Sequence, residues 1–64
     1  MRNFVRESRR KKGLTQKQLG KIAGLSQQMI AKAENGGEIS VKSAKRIAAV
    51  LEIDWKIFFE DDLD

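Results

Sequence analysis

Gln27 and Gln28 stand together at the head of the segment QQMIAKAENG, whose apolar residues recur at helical spacing, and a core has no use for either. An amide side chain carries a donor and an acceptor in one plane, so two on an outer face equip that face to recognise a polar partner. Residues that would make or break bonds are missing. The chain has no cysteine and no histidine, which removes the thiolate nucleophile, the imidazole base, the disulfide and the usual zinc site. Six of its nine acidic residues fall at positions 52–64, and none is paired with a base, a metal-ligand set or a phosphate-cradling loop. No enzyme, cofactor or metal is expected.

Charge is divided unevenly. Residues 1–46 hold 12 Lys/Arg and 3 Asp/Glu, a net +9, whereas residues 47–64 hold one and six, a net −5. A basic body with an acidic end suits a polyanion, because each neutralised phosphate releases counterions; a merely solvated surface has the same composition. The 64 residues make one domain of modest stability, since a chain this short buries only about 60% of its unfolded surface. The longest apolar run, Ile47 to Leu51, is far short of the ~20 residues that span a bilayer, and Arg9 to Lys12 break up any signal peptide. A cytoplasmic protein without a membrane partner is expected.

The elements that must position the glutamines are helical throughout. Five segments are predicted, at about 3–12, 16–23, 27–35, 41–51 and 55–59, with no stretch that alternates like a strand. Phe4, Val5 and Ser8 share a face of the first, which Gly13 ends. Arg9 to Lys12 load its last turn, where the helix dipole favours cations and where a polyanion would equally use them. Thr15 caps the second helix, whose Leu19, Ile22 and Ala23 are expected on one face; Ser26 caps the third, with Ile30, Ala33 and Met29 inward. Ser40 caps the fourth, whose buried stripe is Ala44, Ile47, Ala48 and Leu51, and Asp54 caps the short fifth.

The second and third segments are separated by about three residues including Gly24, the geometry of a helix-turn-helix unit. Such a crossing tolerates only a small residue, here Gly20, and its turn needs a positive φ, here at Gly24. Leu19, Leu25, Ile30 and Ala33 fill the wedge, which leaves Gln27, Gln28, Ala31 and Lys32 outside.

The stretch RRKKGLTQKQLGKIAGLSQQMIAKAENG, followed by SVKSAKRIAAVLEI and DWKIFFEDD, resembles the Cro and phage-repressor (xenobiotic response element) family over nearly the whole chain. The resemblance implies an all-α, five-helix helix-turn-helix domain of the lambda-repressor-like type that binds double-stranded DNA, as a homodimer on a partly palindromic operator. It implies a prokaryotic or phage-type regulator of transcription, a repressor, at the nucleoid. The family's base-reading positions match Gln27 and Gln28, with Lys32 one turn later. A glutamine amide bonds adenine N6 and N7 bidentately, which discriminates by ~1–3 kcal/mol. Met29 either lies against a thymine methyl or packs in the core. Phosphate-contacting positions match Gln16, then Asn35, Gly36 and Gly37, then Lys42, residues that would otherwise read as caps. Arg9 and Glu34 match a partly buried ion pair between the first and third helices.

Departures from the family pattern also mark this chain. Gly20 replaces the usual alanine, and the loop NGGEIS lacks a proline, has an extra glycine and carries Glu38, which would repel a phosphate if turned inward. The end, DWKIFFEDDLD, holds more apolar side chain than one short helix buries. Trp55 and Phe58 are assigned to the core, and Ile57, Phe59 and Leu63 to a partner contact. Two other functions fit the same chain: an antitoxin or restriction-modification controller with an added protein partner, and a protein-interaction module without a DNA role.

Overall fold

The computed structural model describes residues 4–59 and holds them in four α-helices, α1 (Phe4–Lys11), α2 (Gln16–Ala23), α3 (Gln27–Glu34) and α4 (Val41–Leu51), followed by a 3-10 helix, Trp55–Phe59. No strand occurs among these residues. The fold is all-α, with four α-helices instead of five. The fifth segment is too short and too rich in aromatic and β-branched residues to repay α-helix nucleation, so it takes the tighter form. Asp54 still caps it: its Oδ1 accepts from Lys56 N at 3.0 Å and its carbonyl from Ile57 N at 3.1 Å.

Hydroxyl caps start three helices. Thr15 Oγ1 accepts from Gln18 N at 3.0 Å while Gln18 Oε1 accepts from Thr15 N at 2.9 Å, a reciprocal box at the head of α2. Ser26 Oγ accepts from Met29 N at 3.0 Å to open α3, and Ser40 Oγ accepts from Ser43 N at 3.1 Å to open α4.

All four α-helices end in one way. A residue with positive φ turns the chain, and the next N–H donates to a carbonyl five residues back: Leu14 to Arg9 (3.1 Å), Leu25 to Gly20 (2.7 Å), Gly37 to Lys32 (2.8 Å) and Ile53 to Ala48 (3.0 Å). Glycine takes the turning position three times, and Glu52 takes it after α4 with φ 61°.

The core is formed by Val5, Leu19, Ala23, Ile30, Ala44, Ile47, Ala48 and Leu51, so every α-helix contributes. At the α2–α3 crossing the approach is so close that a Cβ on Gly20 would lie 2.7 Å from the Leu25 carbonyl oxygen. This closeness also corrects the expected face of α2. Gly20 must meet the turn, so the buried stripe centres between Leu19 and Gly20, and at about 100° per residue Ile22 rotates out. Ile22 is 60% exposed.

Phe58 packs on the core, with its ring edge-on to Phe4 at 5.0 Å between centroids. Trp55 does not join it. The indole is half-buried and lies outside the core, edge-on to Phe59 at 6.0 Å, with the Lys45 ammonium 5.0 Å from its centroid. A cation over its face and an open edge leave the indole partly wet.

Left-handed backbone costs a β-carbon-bearing residue about 1–2 kcal/mol, and the Glu52 carboxylate meets Lys12 only at 3.6 Å in a largely exposed pair that offsets little. Glu52→Gly should therefore stabilise the domain by about 0.5–1 kcal/mol, after allowance for glycine's greater unfolded entropy, as a raised thermal midpoint. A lowered midpoint would show that the Lys12 pair outweighs the strain.

Candidate nucleic-acid interface

The site begins with a buried charge. Glu34 closes α3, is 1% exposed, and would be intolerable there without partners. Arg9, 9% exposed, donates from Nε to Glu34 Oε2 at 2.6 Å and from Nη2 to Oε1 at 3.4 Å, and its Nη1 donates to the Leu14 carbonyl at 2.8 Å. Gln16 Nε2 donates to Oε1 at 3.0 Å, and Arg6 Nε approaches the same oxygen at 3.4 Å. One carboxylate thus ties α1, the first residue of α2 and the end of α3, and Arg9 adds the loop after α1.

Burial alone would push the Glu34 pKa up. The Arg9 hydrogen bond, the Gln16 amide, the Arg9 charge and Arg6 together outweigh it and hold the carboxyl below its ordinary value.

With its far end anchored, α3 presents its first turn. Gln27 and Gln28 are exposed, as is Lys32 in the next turn; Ala31 between them is half-buried. Met29 is half-buried, with its N–H held by the Ser26 cap. Lys42 is exposed on the first turn of α4.

Two groups of expected phosphate residues stand differently from the sequence reading. The Gln16 amide is directed at Glu34, so this residue belongs to the ion-pair network. In the loop after α3, the N–H groups of Asn35, Gly36 and Gly37 donate to the carbonyls of Ala31 (3.0 Å), Ala33 (3.4 Å) and Lys32 (2.8 Å). Closing the helix end engages those donors within the chain, and the Asn35 side chain beside them is exposed. Glu38 is exposed. Of the expected partner-contact residues, Ile57 is half-buried, Phe59 is 47% exposed, and Leu63 lies outside the described residues.

Two arginines escape the sequence reading. Arg6 precedes Arg9 by three residues and so shares its helix face, a spacing that would have revealed it once Arg9 was paired. Arg46 Nη1 donates to the Gly24 carbonyl at 3.4 Å, which attaches α4 to the turn between α2 and α3. Nothing local to Arg46 signals that contact.

Two short helices crossed at a glycine, and a second helix with exposed amides on its opening turn and an exposed Lys32 one turn on, define a DNA-binding helix-turn-helix domain. The helix-turn-helix family model matches residues 5–58, and the chain belongs to that family, in its Cro and phage-repressor branch, a class of DNA-binding regulators of transcription. A relative, the uncharacterized HTH-type transcriptional regulator YqaF of Bacillus subtilis (strain 168), is 39% identical over 62 residues, covering 95% of this chain and 82% of the relative. No solved structure matches the chain significantly.

Because the native Glu34 pKa is lowered, its contribution to stability is complete above the unfolded carboxyl value of ~4.3 and drains away as pH falls from there through the native value. Thermal midpoints should therefore drop below about pH 4, and drop less steeply in Glu34→Gln. At neutral pH Glu34→Ala should cost ~3 kcal/mol, a large share of the ~3–10 kcal/mol expected for 64 residues, because Arg9 is left buried without its counter-charge. Denaturant unfolding measures both; equal pH profiles for Glu34→Gln and the unaltered chain would remove Glu34 from the acid transition.

Proposed function

We propose that this chain binds a partly palindromic operator sequence-specifically as a homodimer and represses transcription by occupying it. The observation that carries the reading is the exposure of Gln27 and Gln28 on the first turn of a helix fixed at both ends, capped by Ser26 and anchored through Glu34. Gln28 reads an adenine edge, with Gln27 beside it. Met29, half-buried, supports the turn and offers its outer edge to a thymine methyl. Lys42 and the Asn35 amide take the DNA backbone, and Lys32 extends the contact one turn along α3.

Dimerisation is assigned to the segment with Ile57 and Phe59, continuing to Leu63. Phe59 exposes apolar surface next to Trp55, away from the crossing of α2 and α3 in sequence and acidic in its surroundings. Repulsion between an acidic end and phosphate favours a complex in which α3 faces the duplex and this end faces the other subunit. Such a protein works in the cytoplasm, at the nucleoid, and no helix among the described residues is long and apolar enough to cross a membrane.

Selection from a random duplex library at two salt concentrations tests the reading. A palindrome should emerge with half-sites one helical turn apart, about 34–36 Å. Gln28→Ala should lose ~1–3 kcal/mol on the selected site and little on random DNA. Lys42→Ala should weaken all duplexes alike and reduce the salt slope by about one. A loss from Gln28→Ala that is equal on both DNAs would remove direct readout, and a selected site without symmetry would remove the dimer.

A further inference from the structure

Gly37 presents a question that backbone conformation does not answer. Its φ lies outside the left-handed region that Gly13, Gly24 and Gly36 occupy, so φ does not call for glycine there. The space around it is another matter. A Cβ placed on Gly37 would lie 2.5 Å from Lys32 Cγ, 3.1 Å from the Lys32 carbonyl oxygen and 3.3 Å from Lys32 Cε. The lysine stem runs across the bare α-carbon of Gly37 from its second carbon nearly to its ammonium.

The helix end explains the arrangement. The Gly37 N–H donates to the Lys32 carbonyl at 2.8 Å, which folds residue 37 back beside residue 32 and makes these two positions neighbours by construction. With a side chain at 37 the stem would have to leave. With glycine there, a long exposed side chain that would otherwise sample many rotamers has a track to lie on.

We infer that Gly37 is a positioning residue for DNA recognition: it holds the Lys32 stem along the loop after α3, and so fixes where the Lys32 ammonium meets the duplex. The inference rests on the DNA-binding reading above. It gives the additional glycine of the NGGEIS loop a role that neither a turn nor a phosphate-binding N–H supplies, since that N–H already closes α3.

A double-mutant cycle on the full chain tests it, with Lys32→Ala, Gly37→Ala and both together measured on the selected operator, alongside the thermal midpoint of each. Gly37→Ala alone should weaken binding roughly tenfold, similar to Lys32→Ala, and should change the same feature of the selected site or of the salt slope that Lys32→Ala changes. In the Lys32→Ala background, where the Cγ and Cε contacts are gone and only the 3.1 Å approach to the residue 32 carbonyl oxygen remains, Gly37→Ala should change binding less than about twofold. Losses that add, or a Gly37→Ala effect spread over the bases that Gln27 and Gln28 read, would overturn the inference and make Gly37 a general structural residue. No effect of Gly37→Ala in either background would also overturn it. If the unaltered chain selects no duplex at either salt concentration, the DNA reading itself fails and this role falls with it, an outcome separable from all the others.

Discussion

A carboxylate at the end of the recognition helix, out of contact with water, sets the terms for the rest of this small domain. The C-terminal end of a helix repels negative charge and a buried site strips it of solvent, so Glu34 is tolerable only if cationic and amide donors converge on it. Arg9, Gln16 and Arg6 do so, from α1 and from the head of α2. The requirement works in both directions: α3 cannot rotate or slide without stranding the carboxylate, and α1 cannot leave without stranding Arg9. A well-packed apolar cluster of the same volume could stabilise the domain equally or better. What the ion pair adds is a directional constraint on α3, which an apolar contact would transmit less sharply.

The same constraint explains why so short a helix can present side chains reproducibly. Eight residues form an isolated helix poorly, because nucleation is expensive and each end leaves four backbone groups without partners. In α3 the first end is closed by Ser26, the second by the Gly36 and Gly37 N–H groups, and the body is clamped by Ile30 and Glu34 in the core. The crossing with α2 is shortened by the missing side chain at Gly20, and the turn between them is held from α4 by Arg46. Little freedom remains for the backbone under Gln27 and Gln28, so ordering it consumes little of the energy of any contact they make.

How much of this was legible in the sequence depends on the range over which each feature is determined. Thr15, Ser26 and Ser40 were readable as caps, and Gly13 and Gly24 as stops, because hydroxyl capping and positive φ are decided within a few residues. The stripe of α4 was readable from its spacing. The Arg9–Glu34 pair spans 25 positions and came into view only through family resemblance. The Gln16 contact with Glu34 was not legible, because an exposed helix-start glutamine and one that reaches a buried carboxylate have the same local sequence. Ile22 was misplaced because spacings of three and four define a stripe without saying where Gly20 must point. Glu52 in a left-handed conformation contradicts its propensity, and the packing of Leu51 before it and Ile53 after it on the core explains why the chain turns there.

Two electrostatic regimes coexist in the molecule, and their separation matters for a protein that meets a polyanion. The Glu34–Arg9 pair is buried, so mobile ions screen it weakly. Lys32 and Lys42 are exposed, and a phosphate partner would release counterions from its own atmosphere, which makes their contribution fall steeply with salt. Ionic strength can therefore change the tightness of association over a wide range while the orientation of α3 stays fixed. If the recognition helix were held by surface ion pairs, the same salt that frees the protein from nonspecific sites would also loosen its reading head. An orienting charge placed inside and exposed lysines placed outside let salt act on affinity while the geometry of α3 stays constant.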